Sequence, residues 1–310
     1  MSKLVSGLSL RTELEKVLPS CEQLIVASAF VSFSGLQWLI DYLPQTNIKV
    51  IIIGRFLPTD FISGASDLCA LREAIKNGYE VRALSNLHAK IYQIDNYLIF
   101  NGSANLTGKG LSIVAYGNLE ACTRIENCEE SKSFIARIVE SATLLDGSTL
   151  EKMEKFLEQF KGSEVENTPA SWPNNIISES TALFVSDFPL AQPGFFVKEY
   201  ELNQSLPFAQ VESVKTDFYL AVSTFKKTKA YRWLKEQIKK NQSGRDLGFG
   251  QISKLLHDEL ADDPAPYRQE IKTLQANLYS YIKLYASDEI EIYMPGKRSE
   301  VLKLMGRENS

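Results

Sequence analysis

The chain holds little of what metal sites and disulfide frameworks are built from. It has two histidines and four cysteines in 310 residues, and Cys21, Cys69, Cys122 and Cys128 form no C-x-x-C pair. Ligands this sparse and scattered exclude an ordinary zinc site or a disulfide scaffold, so no metal is expected and the thiols are read as reduced and buried. No apolar run approaches the roughly 18 residues that span a bilayer. The opening stretch, MSKLVSGLSLRTELEKVLPS, lacks the continuous apolar core of a secretory signal, and a cytoplasmic location with no membrane contact is expected. There is no internal repeat and no low-complexity tract. A net charge of −4 excludes a uniformly basic coat for nucleic acid.

What is present is an ordinary globular composition, 44% apolar and 23% charged, at a length that suits two domains. Charge is distributed unevenly. Residues 221–310 carry 16 Lys and Arg against 12 Asp and Glu, whereas residues 1–165 carry 16 against 19. The excess peaks at Lys226, Lys227, Lys229, Arg232, Lys235, Lys239, Lys240, Arg245 and Lys254, interleaved with Phe225, Tyr231 and Trp233 and opposed only by Glu236 and Asp246. Such a run suits a nucleic-acid contact, and it equally suits a solvated helix face.

The first half alternates strand and helix signals. An amphipathic helix is expected over residues 10–18, buried strands over 24–32 and 49–56, and helices over 36–42 and 67–78, the last stopped by Gly78. A strand over 80–85 and a hairpin turning at Asp95-Asn96 follow. A strand (LEACTRI), a helix over 131–145 and another amphipathic helix (EKMEKFLEQF) close the domain. Alternation of this kind predicts an α/β sandwich on a mixed sheet. The polar, turn-rich residues 164–175 read as a linker. Beyond them, ALFVSDF, GFFVKEY and DFYLAVS suggest short strands. Helices near 228–241, 250–260 and 267–285 then precede a hairpin at Pro295-Gly296. Helices followed by a hairpin give a smaller α+β domain over 176–310 in the order of a winged helix.

Residues 87–111 read LHAKIYQIDNYLIFNGSANLTGKGL. They set His88, Lys90, Asp95, Gly102, Ser103 and Asn105 in the spacing H-x-K-x4-D-x6-G-S-x-N, whose chance occurrence is on the order of 10⁻⁵ at average residue usage. Two residues apart in a strand, His88 and Lys90 would share a face, and Ser103 with Asn105 would repeat the relation after the turn. Four groups able to hold or attack a phosphate would then converge. An isolated H-x-K is more often a core histidine beside an unrelated lysine; Gly102, Ser103 and Asn105 in register favour the phosphate site. His257, with Glu259 two residues on, is read as a helix-surface or interface residue.

The stretch resembles the HKD signature of the phospholipase D superfamily, over about the first 160 residues. The resemblance implies a phospholipase D-like catalytic domain at 1–163, with His88 as a nucleophile that forms a phosphohistidine and Lys90 as a fixed cation on the phosphate. Ser103 and Asn105 would donate hydrogen bonds to the developing charge, and neither metal nor other cofactor would be needed. Single-motif members use a downstream carboxylate to orient the histidine. Glu120 is the candidate for that role, with Glu126, Glu129 and Glu130 as competitors, while Asp95 suits a structural turn and Gly102 completes the motif. Members build one site from two motifs and this chain has one, so a homodimer is implied, with the site on its two-fold axis. The same resemblance implies a DNA phosphodiesterase, of the restriction or phage-defence kind. A lipid phosphodiesterase and a non-catalytic DNA-binding regulator stand as alternatives, and a helicase or methyltransferase partner stays open.

Overall fold

Two adjacent strands, β2 (Gln23–Ser28) and β3 (Lys49–Gly54), are apolar along nearly their whole length, QLIVAS and KVIIIG, and buried on both faces. Continuous burial of this kind is the pattern of parallel strands covered on each side. In the computed structural model they run parallel at the centre of an eight-stranded sheet. The structure describes residues 4–44, 48–126, 128–162, 164–178, 180–193, 218–241, 246–262, 268–296 and 299–305. Two compact units result, Met1–Thr181 and Ala182–Ser310.

In the first unit β1 (Leu4–Val5), β4 (Glu80–Ala83), β5 (Lys90–Ile94), β6 (Leu98–Gly102), β7 (Cys122–Glu126) and β8 (Thr143–Leu145) complete the sheet in the order β1-β7-β6-β5-β2-β3-β4-β8. Only β2–β3 and β3–β4 pair in parallel. The mixed α/β architecture expected from the alternating pattern is therefore present. The helices are α1 (Gly7–Val17), α2 (Phe33–Tyr42), α3 (Pro58–Ile62), α4 (Leu68–Lys76), α5 (Glu129–Ser141) and α6 (Gly147–Glu158), and side-chain caps open α1, α2 and α6. Ser6, Ser32 and Asp146 accept from the backbone N–H three residues on, at 3.2, 3.2 and 2.7 Å. Gly78 closes the α4 turn at φ +78°.

Three expectations need correction in this unit. The helix foreseen over 131–145 stops at Ser141, and residues 143–145 pair instead with β4 at the sheet edge. Arg82 enforces the stop by donating to the carbonyls of Val139 and Ala142 at 3.1 and 2.9 Å. The hairpin turn takes in Tyr97 as well as Asp95 and Asn96, with Asp95 left-handed at φ +48°. The linker foreseen over 164–175 is stitched to the first core. Trp172 is 8% exposed, packs its ring 5.5 Å from Phe156 and 6.0 Å from Phe61, and donates its indole N–H to the Phe56 carbonyl at 2.5 Å.

The second unit holds α7 (Phe218–Phe225), α8 (Lys229–Lys240), β9 (Leu247–Gly248), α9 (Phe249–Glu259), α10 (Arg268–Tyr285), β10 (Ile290–Tyr293) and β11 (Val301–Leu304). Its sheet runs β10-β11-β9, all antiparallel. Two of the three expected strands are not formed. Residues 218–223 of DFYLAVS lie in helix α7, because Ala221 and Phe225, four apart, bury one face with Phe225 stacked 5.9 Å from Tyr281; packing overrides the β-branched and aromatic preference. Residues 185–187 of ALFVSDF form a 3-10 turn, and GFFVKEY lies outside the described residues. Among the described residues no helix is long and apolar enough to cross a membrane.

Candidate active site

Register places the motif at one sheet edge. Lys90 opens β5 opposite Ser28, the last residue of β2, while Ala27 pairs with Ile53 just short of the end of β3. The site thus lies at the carboxyl ends of the two parallel strands, where α/β sheets commonly bind ligands. His88 stands two residues ahead of β5 rather than in it, so the same-face relation expected of a strand pair does not apply. Instead the Lys90 ammonium donates to the His88 carbonyl at 2.7 Å and pins the backbone that carries the imidazole. The imidazole is exposed and makes no hydrogen bond among the described residues.

Lys90 is 8% exposed. Burial pulls its pKa below the ordinary lysine value, Glu120 counters the drop and Arg55 adds to it. At the end of β6 the chain must pass close to β7: a Cβ on Gly102 would sit 2.3 Å from the Ala121 carbonyl oxygen and 2.6 Å from the Cys122 Cα. Only glycine fits. Beyond it, the turn is tied to the end of β2. Asn105 Oδ1 accepts from the Phe30 N–H at 3.2 Å and the Ser28 hydroxyl at 3.3 Å, and the Leu106 N–H donates to Ser28 Oγ at 2.8 Å. With its oxygen so held, the Asn105 amide presents Nδ2 as a donor.

Glu120 is 8% exposed and accepts from the Ser103 hydroxyl and, at 3.1 Å, from Asn118 Nδ2. It makes no hydrogen bond to His88, so the orienting contact expected between them is not made in this chain. Its competitors lie elsewhere. Glu126 ends β7 opposite Leu98, at the hairpin end of the sheet, and Glu129 and Glu130 open α5. Asp95 is also at the hairpin end, where Oδ1 accepts from the backbone N–H groups of Glu22 and Gln23 at 2.9 and 2.8 Å. Lys90, Ser103, Asn105 and Glu120 therefore come together beside His88, and Asp95 stays out.

Arg55 was not singled out from the sequence. It follows β3 directly, forms a bidentate pair with Asp60, and lies 5.0 Å over the Phe30 ring. The signal available was positional: a polar residue straight after a buried parallel strand.

Of the basic run in the second unit, several members are neutralised within it. Lys226 pairs with Asp288 at 2.7 Å and Glu289 at 3.0 Å, Lys235 with Glu289, Lys229 with Asp187 at 3.4 Å, and Lys239 with Glu236 at 2.7 Å. Lys227, Arg232 and Lys240 are exposed with no ion pair among the described residues, and Arg245 lies outside the described residues. His257 is half-buried on α9, 3.5 Å from Asp258. Among the described residues no group of three or more His, Cys, Asp or Glu is placed to hold a metal ion.

Comparison with known proteins gives a family for part of the chain. Residues 22–141 match the family model described as "Cardiolipin synthase, PLD-like domain". No curated protein matches the sequence. Among solved structures, the chain is similar to Nuc from Salmonella typhimurium, titled a phospholipase D family member, at 18% identity over 47% of this chain and 100% of that one, with a TM-score of 0.38. NucT from Helicobacter pylori gives 16% identity over 47% of this chain and 99% of that one, at 0.34. Phosphatidylserine synthase from Haemophilus influenzae Rd KW20 gives 13% over 56% of this chain and 47% of that one, at 0.35.

Proposed function

We propose that this chain, whose residues 22–141 form a domain of the phospholipase D superfamily, is a DNA phosphodiesterase that works through a covalent histidine intermediate. The observation that carries the reading is the convergence of Lys90, Ser103 and Asn105 beside the exposed His88 imidazole, which has no partner among the described residues. His88 attacks phosphorus, forming an N–P bond as the P–O bond to the leaving oxygen breaks. Lys90 and the Asn105 amide hold the non-bridging oxygens, whose charge grows in the transition state. A buried ammonium and fixed amides supply that stabilisation without a metal ion.

The leaving oxygen needs a proton, and a water must later be deprotonated to attack the N–P bond. The second histidine in the chain, His257, sits on α9 in the other unit with Asp258 as neighbour. We assign both transfers to His88 of a second copy, which makes the working unit a homodimer with its site on the two-fold axis.

The second unit supports nucleic acid as the substrate. Its order α8, β9, α9, α10, β10, β11, with β11 between β9 and β10, supports reading it as a winged helix. In that reading α10 is the groove-reading helix, and its first turns expose Gln269, Lys272 and Thr273. The exposed cations Lys227, Arg232 and Lys240 remain as backbone contacts. A restriction or phage-defence role fits a nuclease domain joined to a DNA reader.

Incubation with supercoiled plasmid in EDTA tests the proposal. Nicking that disappears on His88→Ala is the expected result. Intact plasmid at every protein concentration, with hydrolysis of phosphatidylcholine vesicles, would establish the lipid phosphodiesterase instead; binding without turnover of either would establish a regulator.

A further inference from the structure

One cation beside the site is fixed more firmly than a surface ion pair requires. The Arg55 guanidinium donates through Nε to Asp60 Oδ2 at 3.0 Å and through Nη2 to Oδ1. Asp60 is buried, with a side chain 3% exposed, and also takes the Leu57 N–H at 3.0 Å. The next residue, Phe56, is left-handed at φ +47° and fully buried. A bulky residue holds that conformation only where its surroundings impose it. Here its ring occupies the space over Gly54, 2.2 Å from where a Cβ would stand, and its carbonyl takes the Trp172 indole N–H. Backbone, carboxylate and the Phe30 ring together set where Arg55 points.

The pair is open on one side only. Asp60 is enclosed, while the Arg55 side chain is 27% exposed. A carboxylate fork uses two of the five guanidinium N–H groups and leaves donors free for a second anion. Register adds the place. Lys90 pairs with Ser28, and the end of β3 lies on the far side of β2, so the two cations rise from strands about 10 Å apart at two strand spacings. Two long side chains reach across such a gap to neighbouring groups of one extended ligand. The Arg55 charge is also felt at Lys90.

We propose that Arg55 holds the phosphate next to the scissile one, so that the site is built for a chain of phosphodiesters, a nucleic-acid strand, rather than for a single phosphodiester. The inference rests on the phosphodiesterase reading and names the substrate class of that site. Arg55 is a substrate-binding residue here and takes no part in bond breaking.

The test compares an oligonucleotide with bis(4-nitrophenyl) phosphate, which has no second phosphate. Arg55→Ala should raise the oligonucleotide KM about tenfold more than it changes kcat/KM for the small diester, the size of one charged hydrogen bond, and Arg55→Lys should recover part of the loss. Equal losses on both substrates, or none on either, overturn the proposal. A measurement without any Arg55 variant guards against misfolding: the His88→Ala protein should bind an oligonucleotide less tightly when the flanking phosphate is replaced by a neutral methylphosphonate. No weakening overturns the proposal as well. If the wild-type protein cleaves neither substrate but the methylphosphonate still weakens binding, the catalytic reading fails and the Arg55 assignment stands.

Discussion

Glu120 accepts a hydrogen bond from the Ser103 hydroxyl and makes none with the His88 imidazole. Its carboxylate acts on the site through two neighbours, fixing the Ser103 hydroxyl and opposing the burial that drags down the Lys90 pKa. Glu120→Gln keeps a hydrogen-bond acceptor for Ser103 and removes the charge. Lys90 then loses its proton at lower pH, and the alkaline limb of the pH–rate profile should move down while the acid limb stays. The stability sign follows. Between its depressed folded pKa and the ordinary value, Lys90 binds fewer protons folded than unfolded, so stability rises with pH there, and the variant should widen that interval. A profile whose acid limb moves instead would return Glu120 to the histidine-orienting role.

Gly102 is the motif position where geometry leaves no choice. A Cβ there meets the Ala121 carbonyl and the Cys122 backbone, neither of which can turn aside. Gly102→Ala should destabilise the protein by about 1–3 kcal/mol, the usual range for overpacking, and displace Ser103, with kcat falling more than KM changes. Thermal melts and kinetics on the small diester check both.

The basic run divides into paired and unpaired cations, and the two groups should behave differently. Replacing Lys227, Arg232 and Lys240 together should reduce the slope of log K against log salt for DNA by about 2–3, close to one for each phosphate no longer neutralised. Lys226→Ala should lower stability and change the slope little, since its ammonium is held by Asp288 and Glu289. Equal slopes for all variants would make the whole run a solvated face.

Much of this site was legible in sequence because its parts are local. The H-x-K and G-S-x-N segments flank the open end of one hairpin, at the start of β5 and the end of β6, so spacing alone brought Lys90 near Ser103 and Asn105. What escaped depended on distant chain. Asp288 and Glu289, the partners of Lys226, come some 60 residues later, and nothing local marks them as its counter-ions. Arg55 gains meaning only when β3 lies beside β2. The strand pattern of residues 218–223 gave way to a helix because Tyr281 and Tyr285 pack on Phe225, and Trp172, among prolines and polar residues, gave no sign of the core it enters.

Glu289 offers a pH test of the second unit. Burial would raise its pKa, but hydrogen bonds from Lys235, Tyr231 and Lys226 outweigh it and hold the carboxyl down at about 2. A depressed carboxylate stabilises the fold at pH values above its unfolded pKa, and that contribution fades as pH falls from about 4.5 toward 2. Partial exposure screens the ion pairs, so about 1–2 kcal/mol is expected rather than the full shift. Glu289→Gln should lose this stability at pH 7 and unfold in urea with a weaker dependence on acid; an unchanged acid dependence would rule the contribution out.

Trp172 separates a linker from a core segment. In a linker its loss would change nothing, since exposed chain substitutions stay within about 0.5 kcal/mol. Buried against Phe61 and Phe156, with its indole on the Phe56 carbonyl, Trp172→Ala should cost about 3–5 kcal/mol, the range for emptying a large aromatic site. It also frees the carbonyl that holds Phe56 left-handed, so the damage should spread to Arg55. The oligonucleotide KM should therefore rise more than that for the small diester, at temperatures where the variant is still folded. Trp172→Phe keeps most of the packing and removes only the hydrogen bond. A KM effect that survives in Trp172→Phe, with little change in the thermal midpoint, would trace the coupling to the Phe56 carbonyl; an effect confined to Trp172→Ala would trace it to packing.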